Sequence, residues 1–208
     1  MSNTIRFSKL LGECRRQMNG AVAGSMRYYG ADYGLNYGVS LPTIRSLAHS
    51  EGKDHAFAKY LYMQQVREIR LASFHIANAA EVTPGELSFW AEGIINSEVA
   101  EEASFALFQY VDCVTEWLSS EDELLIYTAL LSLAKSKKYD LQSLENHIIK
   151  AVELNQIILS SAVVVLLENY YRDEQNRAKV IDILSALSES KAAKYIRDEM
   201  AWRCECYD

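Results

Sequence analysis

Along most of the chain, apolar residues recur at the three-and-four spacing of one helix face, not at the every-second spacing of a strand. Leu87, Trp90, Ala91, Ile94 and Ile95 follow this rule. Thr83-Pro84-Gly85-Glu86, just ahead of them, reads as a capping box with proline at the first helical position. Ser120-Glu121-Asp122-Glu123 is a second such box. It opens a helix whose Leu124, Leu125, Tyr127, Leu130 and Leu131 face inward and which ends near Lys135–Lys138. Acids at its start and bases at its end suit the helix dipole. The pattern predicts further helices over 4–19, 42–51, 53–63, 65–79, 97–110, 140–154, 156–172, 174–188 and 190–203. The most apolar run, Ile157–Leu167, is too short to span a bilayer and reads as a buried helix.

The connections are short, so neighbouring helices should run antiparallel. The pairs return roughly every 35–40 residues, the period of HEAT-type arrays. The expected fold is therefore all-α: a HEAT-like repeat α-solenoid of antiparallel helix pairs, one domain over residues 1–208, with a plain multi-helix bundle as the alternative. A solenoid offers a concave face suited to extended partners.

One segment departs from the periodicity. Gly20, Gly24, Gly30, Gly34 and Gly38, five of the chain's nine glycines, are interleaved with Tyr28, Tyr29, Tyr33 and Tyr37. Glycine weakens helices, so a short helix and a long loop are expected. Two readings stand for the tyrosines: rings packed on the core, or an aromatic lip on which nucleic-acid bases stack.

Composition supports the helical reading, with only 2 prolines among 208 residues. No secretory segment or membrane span is visible, and a cytoplasmic location is expected. The four cysteines show no disulfide framework or paired zinc spacing. Cys204-x-Cys206 reads as a thiol-bearing tail or a metal pair. No cofactor motif is present. The formal net charge of −7 argues against a chain devoted to gripping a polyanion, although a local basic patch can suffice. Leu71–Ala134 holds eleven acids and not one lysine or arginine, which leaves +4 on the rest of the chain.

Gly38-Val39-Ser40-Leu41-Pro42-Thr43-Ile44-Arg45 resembles the helix-entry signature of the AlkD-like DNA alkylation repair (alkylpurine DNA glycosylase) family, and Val66-Arg67-Glu68-Ile69-Arg70-Leu71-Ala72 resembles that family's next-repeat helix. A weaker likeness runs from Ser97–Phe108 into Trp117–Glu121, and the whole covers roughly residues 5–190. The resemblance implies duplex DNA held in a groove and a carboxylate that supports loss of a cationic base. Glu101 stands at that carboxylate position, without the tryptophan that precedes it in the family. Val163–Val165 stand where the family has an aromatic residue, and Glu168 where it has a basic one.

The expected DNA- or partner-binding residues are Tyr28, Tyr29, Arg45, Arg67, Arg70, Trp117, Tyr127, Lys135, Lys137 and Lys138, with Glu101 as the catalytic candidate. Three functions are compatible with these observations. One is a DNA-binding or repair-associated protein with lost or altered excision, taking duplex or structured DNA. Another is an active glycosylase using Glu101. The last is an interaction module for a basic protein or peptide, favoured by the acidic middle. No metal-ligand pair of histidines stands out, and His75, in an apolar run, reads as a satisfied core residue.

Overall fold

The computed structural model describes residues 2–30, 33–205 and 207. They form helices and connecting turns. Among them no strand forms, only a single parallel bridge between Leu35 and Val66. Among the described residues, no helix is long and apolar enough to cross a membrane. Cys206, half of the C-x-C pair, lies outside the described residues. The chain packs as two compact units, residues 1–107 and 108–208.

The first unit contains α1 (Asn3–Arg16), α2 (Gly20–Tyr28), α3 (Leu41–Glu51), α4 (His55–Tyr62), α5 (Arg67–Ile76), α6 (Leu87–Ala91) and α7 (Ser97–Ala106). Short polar residues start most of these helices by accepting an otherwise orphaned amide. Asn19 takes Val22 N at 3.2 Å, Ser40 takes Thr43 N at 3.4 Å, Asp54 takes Phe57 N at 2.9 Å and Asn96 takes Val99 N at 3.0 Å. Pro42 lies in the first turn of α3, and Gly38 before it adopts φ +70°, as the entry motif requires. The unit is organised around α5, which packs on α3, α4 and α7 and buries every residue except Arg70.

The expected capping box at Thr83 does not form. Glu86, which should reach back to it, is engaged instead by Lys59 and by His55 (3.0 Å). Pro84–Glu86 is consequently a 3-10 turn, and α6 is only five residues long.

The second unit contains 3-10 segments at Phe108–Tyr110 and Asp112–Ser119, then α8 (Glu123–Ser136), α9 (Leu141–Glu153), α10 (Ile157–Tyr171), α11 (Glu174–Ala186) and α12 (Lys191–Cys204). The second capping box is shifted: the 3-10 segment runs to Ser119, so Asp122 rather than Ser120 caps α8, accepting Leu124 N at 2.8 Å. The helix ends as expected, with Lys137 in the left-handed conformation at φ 48°. α10 packs on α8, α9, α11 and α12. Its inward Ser160, like Thr128 and Ser132 on α8, returns its hydroxyl to the carbonyl four residues back at 2.6–2.9 Å, so two all-apolar helices bury polar side chains with their donors satisfied.

Candidate nucleic-acid interface

The acids of α7 engage two of the three arginines expected at a binding surface, Arg45 and Arg67. Glu98 and Glu102, one turn apart, share the inward face, while Glu101 between them points to solvent. Glu102 is 2% exposed and receives Arg45 Nε at 2.9 Å and Nη2 at 2.7 Å, with His75 Nε2 on the same carboxylate. Burial alone would raise its pKa, but the bonds and charges of Arg45 and His75 outweigh that and hold it at about 2. The Arg45 guanidinium also lies 4.4 Å over the Phe105 ring.

Arg67, expected at a contact surface, is instead 2% exposed. Its Nε bonds Glu98 at 2.8 Å, and its Nη1 bonds Val39 O at 2.9 Å and Glu68 at 3.2 Å. Tyr33 donates its hydroxyl to the same Glu98 and to Asn96. A buried arginine is tolerable only when its donors are satisfied in this way.

Glu68 is fully buried and accepts the amides of Tyr37 (3.1 Å) and Val39 (3.2 Å). Leu35 N bonds Gln65 O at 3.2 Å, and Arg67 N bonds Leu35 O at 2.9 Å. The glycine–tyrosine segment is therefore fastened to α5 through its main chain. Its tyrosines divide between the two readings left open by the sequence. Tyr33 is buried and Tyr37 half-buried, whereas Tyr28 and Tyr29 are 84% and 81% exposed and meet edge to face at 5.2 Å.

Of the other expected residues, Trp117 and Tyr127 are not at a surface. Trp117 packs 4.6 Å from the Phe108 ring, and Tyr127 lies inside α8's packing because that helix is apolar on all sides. Lys135, Lys137 and Lys138 are exposed. Lys137 pairs with Asp173 at 3.3 Å and Lys138 with Asp112 at 3.0 Å. Glu168 collects Arg172, Arg203 and the Tyr207 hydroxyl.

A cluster of bases able to meet a polyanion lies on α1 and α2. The first 30 residues carry five bases and a single acid, a local signal that the whole-chain charge hides. Arg6 is used internally, by Glu51 at 3.2 Å and Asp54 at 2.6 Å. Lys9, Arg15, Arg16 and Arg27 are exposed. Arg15 donates to the Tyr37 hydroxyl at 2.9 Å and Arg16 pairs with Glu13 on its own helix. Arg27 directly precedes the two exposed rings, and Met18, 66% exposed, sits at the turn between the helices. The arrangement combines cations for phosphates with flat faces for bases.

Among the described residues, no three His, Cys, Asp or Glu side chains converge to hold a metal ion. Cys14 is no nucleophile: burial pushes its thiol up to about 12.

No family model matches the sequence, and no curated protein matches it. Among solved structures, one shares the fold at a TM-score of 0.71 and 13% identity, over 94% of this chain and 94% of its own. It is described as a new family of proteins related to the HEAT-like repeat DNA glycosylases with affinity for branched DNA structures. The fold class is thus that of the all-α, HEAT-like repeat proteins.

Proposed function

We propose that this protein binds branched or partly single-stranded DNA through α1 and α2 and does not excise bases, as a divergent relative of the HEAT-like repeat DNA glycosylases. The observation that carries the reading is the adjacent pair Tyr28–Tyr29, both rings more than four-fifths exposed, directly after Arg27 and on a helix pair rich in unburied bases. Two such rings side by side form a contiguous exposed patch, and patches of that kind, unlike single exposed rings, point to interaction sites. The shared fold supports the ligand class, because the similar structure is described as having affinity for branched DNA. Interrupted duplexes present unstacked bases, which such rings accept without reading sequence.

Excision through Glu101 has less support. That carboxylate lies at the surface, its buried neighbour Glu102 is neutralised by Arg45, and the aromatic helpers Trp117 and Tyr127 are inside the core.

Fluorescence anisotropy with forked, single-stranded and blunt duplex DNA tests the reading. Forked DNA is expected to bind most tightly. The double variant Tyr28→Ala/Tyr29→Ala should weaken it by about ten- to a hundredfold with unchanged helix content, since a stacked base is worth roughly 1–3 kcal/mol. No binding of any DNA at low salt sinks the proposal. Release of free methylated purine that Glu101→Gln abolishes would restore the glycosylase reading.

A second reading, docking of a basic protein, draws on Glu116, Glu121 and Asp122, exposed near the start of α8. Salt-sensitive capture of a basic peptide with no DNA binding would favour it.

A further inference from the structure

A pocket of about 230 Å³ opens in the first unit between the end of α4 and the end of α6. Arg70, on the second turn of α5, lines it together with Tyr62, Gln65, Phe89 and Glu92. Arg6, Arg45 and Arg67 of the same unit all hold carboxylates. The Arg70 guanidinium has no hydrogen bond or ion pair to any described residue, and its Nε is shut off from solvent without an acceptor. Its closest aromatic neighbour is Tyr62, 6.0 Å from the guanidinium carbon to the ring centroid. A dry charged donor left unsatisfied costs free energy that an anionic acceptor would recover.

The walls are firm. The Tyr62 hydroxyl donates to Trp90 O, and Gly93 lies so close to Tyr62 that a Cβ there would collide with the ring. Phe89, half-buried and 5.4 Å from Tyr62 between ring centroids, offers an apolar edge. Glu92 is exposed and lines the pocket without pairing with Arg70, which places an acceptor and a strong donor in one small space. Such a space does not suit a multiply charged anion. It suits a ligand that carries an anionic group, a flat ring and an amino group together.

We infer that the pocket receives one unstacked nucleotide of the bound DNA, with Arg70 donating to its phosphate, Phe89 against the base and Glu92 accepting from the base's exocyclic amino group. The inference rests on the DNA-binding reading above. The link between the two places is physical. Gln65 of the pocket bonds Leu35 of the glycine–tyrosine segment, and Leu35 is six residues beyond Tyr29, at most about 20 Å along the chain. A carboxylate acceptor favours cytosine or adenine over thymine, which has no exocyclic amine.

The test uses the full chain and a forked DNA carrying 2-aminopurine at its first unpaired position. The wild-type protein should change the probe's fluorescence on binding. Arg70→Met should suppress that change and weaken fork binding about tenfold, with blunt-duplex binding unaltered. Arg70→Lys, which retains the charge and the stem but lacks the planar guanidinium, should fall between them and guards against a folding defect, read independently by thermal unfolding. Glu92→Ala, which removes the acceptor, should weaken a fork with unpaired cytosine more than one with unpaired thymine and so erase the preference between them. If wild type and both Arg70 variants bind the fork equally and the probe stays silent, the pocket assignment is wrong and the DNA-binding reading stands. If no DNA is bound by any of them, both fail.

Discussion

Glu102 shows how one residue's surroundings set its chemistry. Its neighbour Glu101 has the same side chain and lies at the surface, while Glu102 is gripped by Arg45 and His75 and held at about 2 instead of the ordinary 4.5. The folded protein binds this proton less readily than the unfolded chain does. The stabilisation is therefore complete above about 4.5 and is lost as the pH falls through 2, on the order of 3 kcal/mol in all. Urea midpoints measured across this range should drop steeply for the wild type and more shallowly for Glu102→Gln, which should also be the less stable protein at neutral pH. Equal slopes would mean that Glu102 is not the responsible group. The sequence singled out Glu101 on this helix, and local spacing could not say which of Glu101 and Glu102 faced inward. The partners, Arg45 and His75, lie 57 and 27 residues away and meet it only through packing.

At the scale of an element, the α1–α2 turn and the segment after α2 are fixed by a close approach at Gly38. Its φ of +70° favours glycine, and a Cβ there would come within 2.8 Å of Ala23 N and collide with the Asn19 carbonyl. Gly38→Ala should therefore cost roughly 1–3 kcal/mol and loosen α2 first. Urea denaturation measures the cost, and hydrogen exchange at the α2 amides shows where the loosening begins. A variant as stable as its parent would mean that the backbone yields freely at this point. The entry motif around Pro42 and most helix spans were legible because periodicity and caps are local. The Thr83 box was misread because Glu86's partners, His55 and Lys59, are distant in sequence. Arg67 was misread for the same reason: nothing near it in the chain reveals that Glu98 and Val39 O would enclose its guanidinium.

For the whole molecule, net charge is a poor guide to where a polyanion could land. The first unit has ten bases against eleven acids and the second eleven against seventeen, yet many of these charges cancel in internal pairs. If Lys9, Arg15, Arg16 and Arg27 supply the phosphate contacts, log affinity should fall with log salt with a slope of about −3 to −4. A slope near −8 would require cations beyond these four. The −7 of the full sequence concealed the basic start of the chain, whereas helical periodicity was visible along most of it because the apolar spacing is local. The way the tyrosine segment is fastened has a consequence for which letters can occupy it. From this segment Glu68 takes the peptide groups of Tyr37 and Val39, not their side chains, so those two letters can be exchanged while the bend survives, whereas Gly38 between them cannot. A bend secured in this way places few demands on the letters around it, in keeping with a fold that a solved structure shares at 13% identity.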